Sequence, residues 1–244
     1  MRIEVKKLSK TFNIFQAVND VSFTIETNET LGLLGPNGCG KTTTIGMMLG
    51  LIKPTLGEVL INGEDINGPN HISLLSHMNF ASPYVELPKK LTVKQNLEIY
   101  ARLYGIKNIS KVIDDISNDL DLKKFLFKKN GELSSGQKNR VTLAKSLINK
   151  PKILFLDEPT ASLDPDVGDF VRKYLENYKS KNKLTVLLAS HNMSEVERLC
   201  DRVIIMKEGI IVDRGTCREL IDKHGRKDLE DTFLKIARGK NELV

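Results

Sequence analysis

An α/β chain built around a parallel sheet is predicted by two changes in side-chain period and one glycine-rich loop. Ile153-Leu154-Phe155-Leu156 and Thr185-Val186-Leu187-Leu188-Ala189 are fully apolar runs of strand length. Between them lies a helical stripe of Phe170, Val171, Tyr174, Leu175 and Tyr178, which completes the β-α-β pattern of a buried parallel sheet. From about 88 to 150 the period is helical throughout. Ahead of both, Gly35-Pro36-Asn37-Gly38-Cys39-Gly40-Lys41-Thr42 joins the apolar strand Thr30-Leu31-Gly32-Leu33-Leu34 to a helix over Thr43-Thr44-Ile45-Gly46-Met47-Met48-Leu49.

Taken in order, Ile3-Glu4-Val5, Val21-Ser22-Phe23-Thr24-Ile25 and Glu58-Val59-Leu60-Ile61 read as strands of an antiparallel sheet, and Pro54 is expected to close the first helix. Leu97, Tyr100, Ala101 and Tyr104 share one helix face before Gly105 stops it; Ser110 is expected to cap a second helix carrying Ile113, Ile116 and Leu120. Leu133-Ser134-Ser135-Gly136-Gln137 opens a third, whose buried stripe is Val141, Ala144, Leu147 and Ile148. A hairpin at Glu208-Gly209, a capping box in Thr216-Cys217-Arg218-Glu219, and a last helix carrying Leu229, Phe233 and Ile236 follow. The division expected from these elements is a core with its antiparallel subdomain over 1–87 and 151–215, a helical subdomain over about 88–150, and C-terminal helices over 216–244.

A chain of 244 residues can bury one sizeable core, and 40% hydrophobic with 28% charged residues is ordinary for a soluble protein. No apolar run approaches the ~18 residues that cross a bilayer, and Met1-Arg2-Ile3-Glu4-Val5 holds no apolar signal core. The chain is therefore expected in the cytoplasm, with any membrane role supplied by a partner. Cys39, Cys200 and Cys217 show neither paired nor metal-like spacing, which fits a reducing compartment. The net charge of +6 comes from dispersed Lys and Arg residues, so no nucleic-acid partner is expected.

The chemistry begins at G-x-x-x-x-G-K-[ST], a turn that wraps backbone N–H groups around phosphates at a helix N-terminus. Asn37, Gly38, Cys39, Gly40 and Thr43 line it, Lys41 can reach the β- and γ-phosphates, and the Thr42 hydroxyl is the expected Mg²⁺ ligand. Cys39, beside Lys41, is expected to be an acidified, reactive thiol. The strand at 153–156 ends in Asp157-Glu158, suited to orient the Mg²⁺ shell and to polarise an attacking water, respectively. The small-residue helix start at 133–137 is a second phosphate-binding element. One nucleotide needs one such loop, so this start is expected to serve the nucleotide of another subunit.

These motifs together resemble the nucleotide-binding subunit of an ATP-binding cassette (ABC) transporter, over essentially the whole chain. The resemblance implies a P-loop NTPase (RecA-like) core with a parallel sheet, an N-terminal antiparallel β subdomain and an inserted helical signature subdomain. It also implies an ATPase using ATP and Mg²⁺, an ATP-dependent homodimer, and a separate integral membrane permease. By similarity, Phe12 stacks on adenine, with Phe15 its rival, and Ser134, Ser135, Gly136 and Gln137 meet the partner's ATP. Likewise Ser162-Leu163-Asp164 crosses the dimer interface, and His191 contacts the γ-phosphate. Ser135 stands where glycine is usual. The loop Ser82-Pro83-Tyr84, expected to face the permease, lacks the family's glutamine, whose place falls on Ser82 or Pro83; Mg²⁺ is then left to Thr42, Asp157, phosphates and water. The ending, 228–234, resembles that of small bacterial exporter ATPases, which favours export over import. Two alternatives stay open: a soluble ABC ATPase acting on ribosomes or DNA, whose usual second cassette, coiled coil or zinc site the sequence does not show, and a nucleotide-gated module with little turnover.

Overall fold

Burial follows the periods just described, with corrections where the backbone bulges or caps differently. In the computed structural model, which describes residues 1–82, 85–161 and 163–238, the chain runs β1 (Ile3–Phe12), β2 (Phe15–Ile25), β3 (Thr30–Leu34), α1 (Lys41–Met48), β4 (Leu56–Ile61), β5 (Glu64–Asp65), α2 (His71–Ser76) and β6 (Met78–Ala81). It continues through α3 (Val93–Leu103), α4 (Ile109–Asp119), α5 (Ser135–Leu147), β7 (Ile153–Asp157) and α6 (Pro165–Asn182). The last elements are β8 (Thr185–Ala189), α7 (Met193–Leu199), β9 (Arg202–Lys207), β10 (Ile210–Gly215), α8 (Cys217–His224) and α9 (Leu229–Arg238). Pro83, Tyr84 and Ser162, named above as site candidates, lie outside the described residues.

Two compact units result, one formed by Met1–Leu75 with the described residues from Thr185 onward, the other by Ser76–Leu184. In the first, β2, β1, β4 and β5 make an antiparallel sheet in that order. Strands β1 and β2 are far longer than the sequence suggested. Register shifts between Val5 and Leu8 and again around Lys10, with Lys7 at φ 47°, break the two-residue alternation that would have revealed them. The same unit holds β3 between β8 and β9, parallel to both, and all five residues of β3 and of β8 are buried. A tight turn at Glu208 (φ 49°) and Gly209 (φ 81°) returns β9 into β10, as a two-residue hairpin of the right-handed sheet requires. Thr216 and Glu219 form the expected reciprocal capping box of α8. Leu229 of α9 is buried with Leu34, Val196, Val203, Ile205 and Leu220, and Phe233 and Ile236 pack against that cluster.

The second unit pairs β6 parallel to β7, with Met78 opposite Ile153 and Ala81 opposite Leu156. Helix α3 starts at a Thr92–Gln95 capping box. The cap of α4 is Asn108 rather than Ser110, because the Asn108 side chain accepts the Lys111 N–H two residues earlier than the serine could. In the first unit α1 also ends early. Leu49 caps it and Gly50 turns left-handed (φ 68°), so Pro54 lies beyond the helix instead of closing it.

Candidate functional site

The phosphate loop lies in the first unit, between β3 and α1. Gly40, the N-cap of α1, has φ 106°, and a Cβ there would come within 2.6 Å of the Ala17 carbonyl, so only glycine fits. Gly38 is left-handed as well (φ 79°) but faces open space, where a ligand can approach the backbone. No side chain caps α1, which leaves its first N–H groups and the positive end of its dipole directed into the loop. Asn37 and Thr42 are exposed, and Thr43 is half-buried. Lys41 is buried and its Nζ donates to the carbonyls of Gly35 (2.6 Å) and Pro36 (3.2 Å). The cation is thus held inside the loop that phosphates would enter.

Cys39 corrects its expectation. Its thiol is 3% exposed, with Sγ in the space a side chain at Gly35 would need. Burial pushes the thiol above its ordinary range, and Lys41 Nζ, 3.9 Å away, only partly offsets this. Cys39 fills the loop rather than arming it.

His191 belongs to the same unit and follows β8, exposed on a loop whose neighbours are tightly fixed. Ser190 Oγ donates to Glu195 Oε2 at 2.6 Å and accepts from the Asn192 N–H at 3.1 Å, while Asn192 Oδ1 caps α7. Glu195 is fully buried. Phe12 and Phe15 face each other across the turn at Asn13 and Ile14; both are exposed, and Lys10 Nζ lies 5.0 Å over the Phe12 ring.

The carboxylates lie in the second unit. β7 delivers Asp157 and Glu158 at its end, both half-buried. Glu158 adopts a left-handed backbone (φ 51°), a conformation costing a non-glycine residue about 1–3 kcal/mol and common at reactive positions. Its carbonyl accepts the Ala161 N–H at 3.0 Å, and Asn139 Nδ2 donates to the Pro159 carbonyl at 2.7 Å, so the turn after β7 is tied to α5. Leu163 is half-buried and Asp164, the N-cap of α6, is exposed. Ser82, at or beside the place of the family's glutamine, is 3% exposed, and its Oγ donates to Asp157 Oδ2 at 3.4 Å. In the same unit Ser134 caps α5 in a reciprocal box with Gln137. Ser134 and Ser135 are exposed, and Gly136 and Gln137 half-buried, at that helix start.

The donor chemistry fits the expected ligands. The Thr42 hydroxyl and the Asp157 carboxylate are each hard oxygen donors, the chemistry that Mg²⁺ accepts. Among the described residues no cluster of three metal-ligating side chains offers a self-sufficient metal site. No helix among them is long and apolar enough to cross a membrane.

Residues 18–161 match the ABC transporter family. The chain is 34% identical over 230 residues to the ABC transporter ATP-binding protein NatA of Bacillus subtilis (strain 168), covering 93% of each. It is 35% identical to the Nod factor export ATP-binding protein I of Rhizobium sp. (strain N33), covering 91% of this chain and 73% of that one. A solved ATP-binding subunit of an ABC transporter superposes with a TM-score of 0.87 at 26% identity, over 97% of this chain and 99% of that one. The ATP-binding cassette MJ0796, in a dimeric post-hydrolysis state with ADP and Pi, superposes at 0.80 with 25% identity, over 88% and 98%. The chain therefore belongs to the ABC transporter family, as a P-loop ATP-binding subunit that binds and hydrolyses ATP to power a membrane transporter. Subunits of this kind pair with membrane components and dimerise.

Proposed function

We propose that two copies of this chain close on two ATP molecules, each bound between the phosphate loop of one copy and the α5 start of the other. The observation carrying this reading is that the chain has two helix starts suited to phosphate. One is uncapped α1 behind Gly38 and Gly40; the other is the exposed Ser134 end of α5. Lys41 exchanges its loop carbonyls for the β- and γ-phosphates. Asn37, Gly38, Cys39, Gly40, Thr42 and Thr43 contribute backbone N–H groups, and Phe12 or Phe15 stacks on adenine. Thr42 and Asp157 would be the protein ligands of Mg²⁺, which would supply neutralisation of phosphate charge. Glu158 orients the water and takes up its proton, while His191 donates to the γ-phosphate from a loop that Ser190 and Glu195 keep in place. In the other copy Ser134, Ser135, Gly136 and Gln137 complete the γ-phosphate shell, and Ser162, Leu163 and Asp164 meet across the interface. Residues 88–150 act as a helical subdomain inserted between 1–87 and 151–215, followed by the helices of 216–244.

The membrane component is a separate permease, which holds the chain at the cytoplasmic face, and transport is outward. The relatives named for Nod factor export support that direction. The loop Ser82-Pro83-Tyr84 faces the permease. The test is purification of the tagged chain from detergent-extracted membranes, followed by reconstitution of whatever it carries in inverted vesicles. A multi-span protein and ATP-dependent uptake into those vesicles are expected. Recovery of ribosomal RNA or DNA without a membrane protein would overturn this reading.

A further inference from the structure

Lys145 sits near the C-terminal end of α5 and is 8% exposed. Its Nζ donates to the Phe80 carbonyl at 2.9 Å and lies 5.3 Å over the Tyr100 ring. Among the described residues it has no carboxylate partner, and burial pushes the amine below the usual lysine range. Desolvating an ammonium ion is costly, and a leucine or methionine would fill the same space without that cost. What the cation gains is a hold on one strand.

That strand is β6. Asn79 Nδ2 donates to Asn149 Oδ1 at 2.9 Å and reaches the Lys145 carbonyl at 3.5 Å, and Asn149 Nδ2 donates to the carbonyls of Ser76 (2.9 Å) and Met78 (3.3 Å). β6 is therefore stitched to the last turn of α5 and to Asn149 just beyond it, and Lys145 is the last stitch. Two residues beyond Phe80 comes Ser82, whose hydroxyl meets Asp157.

We propose that Lys145 is a positioning residue for the metal site: by fixing the Phe80 carbonyl it sets where β6 ends, so that the Ser82 hydroxyl orients the Asp157 carboxylate. This rests on the reading of Asp157 as the carboxylate that orients Mg²⁺. The role explains how the site works without the family's glutamine, since a short hydroxyl acts on the carboxylate rather than on the ion. It also ties Asp157 to α5, the helix whose start bears Ser134.

The test uses the full chain with Lys145→Met, Lys145→Arg, Ser82→Ala and Asp157→Asn. Two quantities are measured: the Mg²⁺ dependence of binding of a fluorescent ATP analogue, and backbone hydrogen exchange over β6 without nucleotide. Lys145→Met is expected to raise the half-saturating Mg²⁺ concentration about three- to tenfold, the scale of one lost hydrogen bond, and to speed exchange at Ala81 and Ser82. Affinity for the analogue in EDTA stays within about twofold of the wild type, since the phosphate loop is untouched. Lys145→Arg restores both readouts, whereas Ser82→Ala shows the Mg²⁺ shift with unchanged exchange. A Lys145→Met protein that loses thermal stability while keeping the wild-type Mg²⁺ half-point would overturn the proposal. If that variant fails to fold, Ser82→Ala decides, and a wild-type half-point there overturns it equally. An unmoved half-point in Asp157→Asn would mean that the reading of Asp157 itself fails, and the proposal with it.

Discussion

Ser190→Ala perturbs the loop that carries His191 without touching a phosphate ligand, and its consequences can be worked from the geometry. Ser190 Oγ donates to the Glu195 carboxylate at 2.6 Å, a charge-assisted bond to a fully buried acceptor, and accepts the Asn192 N–H at 3.1 Å. Losing a bond to a buried charge costs about 1.5–3 kcal/mol, and the neutral one adds about 0.5–1.5 kcal/mol. A total of about 2–4 kcal/mol is therefore expected, partly relieved by water entering beside His191. In a chain of this size ~1 kcal/mol moves the melting temperature by about 2–4 °C, so a fall of about 5–10 °C is expected by scanning calorimetry. Turnover should drop by about ten- to a hundredfold, because the imidazole loses its fixed position, while ATP affinity at Lys41 changes little. A melting temperature within about 1 °C of the wild type would show that Ser190 and Glu195 do not anchor this loop.

Other residues give separable outcomes. Lys41→Ala should abolish ATP binding, whereas Glu158→Gln should keep it and lower phosphate release by about 10²–10⁴; equal loss of nucleotide affinity in both would mean that Glu158 is misassigned. Cys39, buried and with its thiol pushed up, should react with iodoacetamide at pH 7.5 at least about tenfold more slowly than a free thiol, accelerating only above the ordinary thiol range; rapid labelling would contradict the burial. Asp213 is pushed up by burial, but bonds from Lys223 (2.7 Å) and His224 (2.6 Å) outweigh this and hold its carboxyl below the usual range. A depressed carboxyl stabilises above the unfolded value and loses that contribution as pH falls through the folded one. Asp213→Asn should therefore destabilise the chain at pH 7, with the difference from wild type closing below about pH 4; a pH-independent difference would refute the pairing. Thr216→Ala, which removes the α8 cap, should cost about 1 kcal/mol in urea denaturation, and no change would mean that the box contributes nothing.

What could be read from the sequence was local. The phosphate loop, the apolar strand before Asp157-Glu158 and the box at Thr216 and Glu219 each occupy a few consecutive residues whose types fix backbone and chemistry together. Ser134 and Gln137 carry the same capping-box spacing as Thr216 and Glu219. Asn108 lost to Ser110 because both are good caps and only the helix register chooses between them. The full lengths of β1 and β2 are hidden in the sequence because bulges interrupt their alternation. Contacts between distant residues were not legible. Ser82 and Asp157 are separated by 75 positions and Lys145 and Phe80 by 65, and neither pair has a periodic signature. The Cys39 thiol departs from expectation for the same reason: its neighbour Lys41 is visible in sequence, but the burial that dominates its chemistry is not.

If each ATP is enclosed by two copies of this chain, sedimentation of Glu158→Gln with saturating ATP and Mg²⁺ reveals the pairing. A dimer is expected that forms with ATP and disappears when Ser134→Arg or Lys41→Ala is added, the former leaving ATP binding by the monomer nearly intact. A dimer that persists with Ser134→Arg would contradict the pairing of phosphate loop and α5 start.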